Sequence, residues 1–137
     1  MSKTELDNKK LTGIAALMVH ASKIDGDYTE DERSLIFNFL NLFTKEKDVI
    51  SKILKDAEIL EQNSNQLLDF TKIIKNNSLE SKSIVIKEIW KIIISDNKVD
   101  KYESNLMRRI CGLIYFPDKL SGEIKINLLS ELKSNGI

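Results

Sequence analysis

Residues 25–36 read DGDYTEDERSLI, and residues 96–107 return to the same pattern as DNKVDKYESNLM. Both stretches have the form Asp-(Gly/Asn)-x-(Tyr/Val)-(Thr/Asp)-x-x-Glu-x-x-Leu-(Ile/Met). Each follows an apolar stretch with helical spacing and precedes another one. The sequence therefore predicts a duplicated unit of helix, tight acidic turn and helix, with repeat one at about residues 6–43 and repeat two at about residues 79–115.

Each acidic turn also carries the signature of a helix N-terminus. In the first copy the Thr29 hydroxyl can accept a hydrogen bond from the amide of Glu32, while the Glu32 side chain can reach back to the amide of Thr29. This reciprocal arrangement is a capping box. Asp100 and Glu103 stand at the same two positions of the second copy, so a helix is predicted to begin at each turn.

The rest of the chain also has helical patterns. Apolar residues recur at three- and four-residue steps over residues 6–24, which is typical of an amphipathic helix. A third helix is predicted from a cap at Thr44, a fourth over residues 66–75 and a last one from Ser121. The predicted fold class is all-α, a single-domain bundle of about seven helices over residues 1–137.

A fifth helix is predicted over residues 79–95, although its many β-branched residues also suit a strand over residues 83–94. The duplication aligns this segment with the helix that precedes the first acidic turn. A helix that is apolar around most of its circumference belongs at the centre of a bundle. We therefore predict a helix there, with Ile89, Trp90 and Ile93 in the middle of the core.

Composition excludes several classes of function. Basic and acidic side chains number 21 each, and this balance lacks the broad positive surface that nucleic-acid binding requires. The one cysteine, Cys111, allows no intramolecular disulfide and is predicted to be a small core residue in a reducing compartment. Residues 1–10 contain no apolar signal segment, and no apolar run reaches the roughly 18 residues of a membrane span. The sequence predicts a cytoplasmic protein that has no membrane span and binds no nucleic acid.

Signatures of catalysis are missing from the sequence as well. The one histidine, His20, has no His or Cys partner at metal-ligand spacing, so it is assigned to packing or to the surface. No Gly-rich phosphate loop occurs, and no histidine stands near Cys111 to activate it. The first acidic turn is not a calcium-binding EF-hand loop, because Glu30 and Ile36 occupy the positions that need Gly and Glu. The protein is predicted not to be an enzyme.

The two turns nevertheless place acids at equivalent positions, Asp25 and Glu32 in the first copy and Asp96 and Glu103 in the second. Packing of the repeats about a twofold-like axis would bring the four carboxylates together, and such hard oxygen ligands suit Ca²⁺ or Mg²⁺. Capping and the helix dipole also explain acids at these positions. From the residues alone, a metal site and a stabilising turn both stay open.

The two motifs, each after an apolar helix, resemble the TerB family, which is named for tellurite resistance. The similarity runs from HASKIDG at residues 20–26 to RRICGLI at residues 108–114. It implies a compact bundle of about seven helices and a paired acidic site for a divalent cation. The residues that match the ligands of that site are Asp25, Glu32, Asp96 and Glu103.

The second copy departs from the family pattern. Asn97 replaces the usual glycine, and Lys98 and Lys101 replace acids. Asparagine tolerates the left-handed backbone that glycine supplies, whereas the two lysines would weaken cation binding. The turn is therefore expected to survive, with a lower affinity for a cation.

The resemblance also bears on function. The family includes domains attached to DnaJ-like co-chaperones, where they look like interaction modules. The predicted function is a cytoplasmic, non-enzymatic interaction or stress-response module, with another protein as its partner and a divalent-cation site at the acidic turns. A metal-dependent enzyme that uses the clustered carboxylates and a purely structural bundle without a ligand are the alternatives.

Overall fold

The structure is a computed structural model that describes residues 7–23, 28–64, 68–95 and 101–135, without the side chains of residues 68, 95, 101–104 and 132–135. Within these ranges the chain forms seven helices and no strand, so the all-α prediction is confirmed and the strand interpretation is wrong. The helices are α1 (Asn8–Lys23), α2 (Glu30–Leu40), α3 (Lys47–Gln62), α4 (Leu68–Thr71), α5 (Leu79–Ser95), α6 (Lys101–Leu113) and α7 (Asp118–Asn135).

Helix α1 is the most enclosed element of the bundle. It packs most extensively against α3 and also contacts α2, α4 and α5, because its side chains are apolar on nearly every face. Ile14, Leu17 and Met18 are fully buried. At Gly13 the chain approaches especially closely, since a Cβ atom there would lie 2.5 Å from Cδ1 of Ile73.

Helix α5 supplies the second part of the core. Ile89, Trp90 and Ile93 are all buried, so the prediction for their place in the core is confirmed. The Trp90 indole Nε1 donates a hydrogen bond to Oγ of Ser121 at 3.0 Å. This bond satisfies a buried donor and ties α5 to α7, which is one of its main packing partners.

The packing of α6 bears on the predicted duplication. Helices α1 and α2 contact each other, whereas the principal contacts of α6 within the described ranges are with α7 and α4. Both acidic turns include residues that lie outside the described ranges. The equivalence of the two repeats and the single-domain boundary at residues 1–137 therefore stay predictions.

Three predicted helix boundaries are wrong. Glu46 is the N-cap of α3 and makes no side-chain capping bond, while Thr44 Oγ1 accepts from the Glu46 amide at 3.4 Å. Helix α7 begins at Asp118 instead of Ser121, because the helical hydrogen bonds already start directly after the proline. The third wrong boundary is that of α4.

Helix α4 is much shorter than the predicted helix over residues 66–75. It ends at Thr71, and turns follow. The amide of Ile74 donates to the carbonyl of Thr71 at 3.1 Å, and the amide of Asn77 donates to the carbonyl of Ile74 at 3.1 Å. Phe70 and Ile74 are both buried, as the helical spacing of these two residues also predicts, so the sequence pattern identifies the core residues here but not the end of the helix.

Helix α6 ends at a residue with a left-handed backbone. Tyr115 has a φ angle of 60°. The amide of Phe116 donates to the carbonyl of Cys111 at 2.8 Å, and the amide of Tyr115 donates to the carbonyl of Gly112 at 3.4 Å. This is the Schellman arrangement, in which glycine is usual because an L side chain costs about 1–2 kcal/mol. The turn buries Phe116 and leaves Tyr115 68% exposed.

We expect the free energy of unfolding of Tyr115→Gly to exceed that of Tyr115→Ala by about 0.5–1 kcal/mol, because both variants lose the ring and its contacts with Lys75 and Lys82, and relief of left-handed strain exceeds the added chain entropy. Urea unfolding measures the change. Tyr115→Ala is the matched control, since it removes the ring and keeps the strain. If the alanine variant is as stable as the glycine variant, the turn is not strained.

Candidate functional site

The four predicted metal ligands are covered unevenly by the structure. Glu32 lies in the first turn of α2 and is 3% exposed. Asp25 and Asp96 lie outside the described residues, as does the side chain of Glu103, whose backbone belongs to α6. In the part of the chain that is described, no group of three or more His, Cys, Asp or Glu side chains could hold a metal ion. Convergence of the four carboxylates therefore stays a prediction.

Glu32 completes the capping box predicted for the start of α2. Its Oε1 accepts from the Thr29 amide at 2.9 Å and from the Thr29 hydroxyl at 3.3 Å. In return the Glu32 amide donates to Oγ1 of Thr29 at 3.3 Å. A carboxylate offers about four acceptor positions, so a capping role and a metal-ligand role are compatible in the same side chain.

Two carboxylates of α3 bind residues on either side of positions 24–27, where the first acidic motif connects α1 to α2. Before the turn, Nζ of Lys23 donates to Oε1 of Glu61 at 2.7 Å. After the turn, the Tyr28 hydroxyl donates to Oε2 of Glu58 at 2.6 Å, and Nε of Arg33 donates to the same oxygen at 2.8 Å. We call these five residues the turn clamp. Since its two acids are neighbours on one face of α3, a single helix fixes both ends of the turn.

His20 adds a contact to the turn clamp. Its Nδ1 lies 3.2 Å from Oε2 of Glu61, and its ring lies 5.9 Å from the ring of Phe70. Glu61 is buried and receives contacts from two residues of α1. The assignment of His20 to packing or to the surface is confirmed, with its specific partner on α3.

The turn clamp shifts the pKa values of its members. Burial by itself would raise the pKa of Glu58, but hydrogen bonds from Arg33 and Tyr28 outweigh burial and lower it. The pKa of Glu61 is lowered in the same way, since the hydrogen bonds from α1 outweigh burial. Burial raises the pKa of the Tyr28 hydroxyl, and its bond to Glu58 adds to the effect. The hydroxyl therefore stays a donor at neutral pH.

The lowered pKa values predict a loss of stability in acid. A carboxyl whose pKa is lower in the folded chain contributes stability above its unfolded pKa, about 4.5 here, and loses that contribution as the pH falls through the folded value. We expect the melting temperature to fall below about that pH more steeply in the natural protein than in a Glu58→Gln, Glu61→Gln variant. Thermal melts over a pH series measure both slopes, and equal slopes would contradict this role of the turn clamp.

The turn clamp is not predicted by any local pattern in the sequence. One signal was present, because two acids stand three residues apart beside the apolar face of α3. Nothing local identifies their partners, since these come from α1, from α2 and from the residue before its cap. The clamp exists because α3 packs against both helices.

Cys111 is fully buried, as predicted. Burial raises the pKa of its thiol. A reactive cysteine needs the opposite shift, because the thiolate is the nucleophile. Its packing role is therefore the better supported one.

A comparison with protein families identifies the chain. The family model described as "Tellurite resistance protein TerB" matches residues 11–125, which covers most of the sequence. The chain belongs to the TerB family. The TerB match includes both acidic turns and all five residues of the turn clamp. Comparisons with curated proteins and with solved structures gave no match.

The described helices of this TerB-family chain differ from membrane-spanning helices. None of them combines the length and the apolar character needed to cross a bilayer.

Proposed function

We propose that this TerB-family protein is a non-enzymatic interaction module in which the duplicated acidic turns hold a divalent cation such as Ca²⁺ or Mg²⁺. The observation that carries the proposal is the turn clamp, which fixes both ends of the first acidic turn. A turn held in this way pre-organises its carboxylates and lowers the entropic cost of binding an ion. The proposed ligands are Asp25, Glu32, Asp96 and Glu103.

The described side chains support binding rather than catalysis. The Cys111 thiol is buried and its pKa is raised, which is unfavourable for a nucleophile. TerB domains are generally non-enzymatic, and TerB-like domains can mediate protein interactions. We therefore propose that the cation sets the shape of the acidic turns that a partner protein meets, as in a stress-response module.

Calorimetric titration of the metal-free protein with Ca²⁺, Mg²⁺ and Mn²⁺ tests the cation site. We expect a single ion per chain, and we expect the heat to disappear in a variant with Asp25→Asn and Asp96→Asn. A control variant with Glu30→Gln and Asp31→Asn removes the same charge from exposed positions of α2 and should bind as the natural protein does. Absence of binding to the natural protein at millimolar ion concentrations would contradict the proposal.

A structural bundle without a ligand is the second candidate, and the capping box of Glu32 favours it. In this case Glu32 serves α2 alone. Replacing Asp25 and Asp96 with Asn would then change neither binding heat nor metal response, because neither would exist in the natural protein.

A further inference from the structure

A cluster of positive charge lies where the turn between α4 and α5 meets the end of α6. Nζ of Lys75, which follows α4, is 6.0 Å from the centre of the Tyr115 ring. Nζ of Lys82, in α5, is 5.9 Å from the same ring centre. Two ammonium groups from different parts of the chain therefore converge on one aromatic ring.

Neither of these lysines has an acidic partner among the described residues. Lys82 is only 7% exposed, yet the ion pairs of the described ranges do not include it, whereas Lys23 is paired with Glu61. Glu80, the acid nearest to both lysines in sequence, is exposed and pairs with neither, and Glu88 pairs with Lys91.

The stem of Lys82 is packed, but the buried side-chain nitrogen and oxygen atoms without a hydrogen-bond partner in the described residues comprise Nδ2 of Asn77 and not Nζ of Lys82. The packed stem therefore holds an unpaired ammonium group that solvent can reach beside the Tyr115 ring. The arrangement favours an anion from outside the chain.

Two further features of the segment around Lys75, Lys82 and Tyr115 also favour a ligand from outside the chain. Tyr115 retains a strained left-handed backbone where glycine would serve the turn better, and strain of this kind is concentrated at functional sites. Asn77 lies between the two lysines in sequence, and its buried Nδ2 has no acceptor. Its Oδ1 accepts from Nζ of Lys10 at 3.2 Å. Nδ2 of Asn77 is therefore a hydrogen-bond donor without an acceptor among the described residues.

We propose that Lys75, Lys82 and Tyr115 form a docking site for an acidic peptide segment of a partner protein. Its carboxylates would pair with the two ammonium groups, and an apolar side chain between them would pack on the Tyr115 ring and on Leu79. Leu79 is exposed and lies one helical turn before Lys82. This proposal rests on the proposed interaction role and is independent of the cation site.

An acidic peptide suits the site better than a free phosphate. Lysines are flexible point charges that suit separate carboxylates along a chain. The exposed Leu79 side chain, which lies between the two lysines in sequence, would contribute nothing to the binding of a small hydrophilic anion. Complementary charge would orient the partner and speed its association.

Fluorescence anisotropy with a labelled peptide of alternating glutamate and leucine, measured in the presence of a chelator, tests the docking site. We expect the Lys75→Gln, Lys82→Gln variant to bind at least about tenfold more weakly than the natural protein. The matched control is Lys72→Gln, Lys87→Gln, which removes the same charge from exposed lysines after α4 and in α5. Its affinity should stay within about twofold, since the ammonium groups over the Tyr115 ring are those of Lys75 and Lys82 and the other two are exposed charges that salt screens.

Tyr115→Gly provides a second variant that does not depend on tolerance of Lys82→Gln. It is expected to melt at a higher temperature than Tyr115→Ala and to weaken peptide binding as that variant does, whereas a merely structural Tyr115 would leave binding unchanged. Circular dichroism confirms that each variant is folded.

Three outcomes would overturn the docking site. Equal losses in the two lysine variants would indicate general charge attraction, and full competition by micromolar inorganic phosphate would assign the cluster to that anion. Failure of the peptide to bind the natural protein would also reject the docking site. Because the chelator removes metal from the assay, such a failure leaves the separate cation titration to decide the proposed function.

Discussion

Replacement of Ile93 by alanine should lower the free energy of unfolding by about 2–5 kcal/mol. Ile93 is 2% exposed and belongs to α5, which packs against α1, α2 and α7. Truncation removes buried carbon atoms and leaves a cavity that the surrounding helices can close only in part. Equilibrium unfolding in urea measures the change.

The chain offers a control with the same chemical change. Ile126 on α7 is 62% exposed, so Ile126→Ala should alter the free energy of unfolding by less than about 0.5 kcal/mol. If Ile93→Ala costs less than about 1 kcal/mol, α5 is peripheral. Its apolar face would then become a candidate partner surface.

A divalent cation at the acidic turns should stabilise the fold by roughly 2.7 kcal/mol when its concentration is about 100 times the dissociation constant. The gain arises because the ion binds the folded chain and not the unfolded one. Thermal melts with and without Ca²⁺, Mg²⁺ or Mn²⁺ measure it. In a variant with Asp25→Asn and Asp96→Asn the gain should vanish, while Glu32 keeps its capping bonds to Thr29.

A variant of the turn clamp should keep only part of the metal-dependent stabilisation. Glu61→Gln keeps all four proposed ligands and weakens the hold on Lys23, so we expect the metal-dependent gain to shrink without vanishing. A melting temperature of the natural protein that is indifferent to all three ions would make the turns purely structural.

Some features of the helices could be predicted from neighbouring residues, and others could not. The capping box at Thr29 and Glu32 was predictable because its bonds join residues within one helical turn. The central position of Trp90 was predictable because α5 is apolar around most of its circumference. The wrong boundary of α4 has a different origin, since residues 66–75 have helical periodicity and the chain nevertheless leaves the helix after Thr71, where Ile73 packs closely against Gly13 of α1. Local propensity is weaker than that packing.

The sequence by itself determined the all-α fold and the membership of the TerB family, and it contains the two acidic motifs. It could do so because helical periodicity, caps and motifs depend on residues that are close together in the chain. Only the tertiary structure decided which side chains act together. Tyr28 meets Glu58, Lys23 meets Glu61, and Lys82 meets the Tyr115 ring. These partners are far apart along the chain, and they meet because particular helix faces pack against each other. That choice depends on the fit of the whole core, which no local pattern encodes.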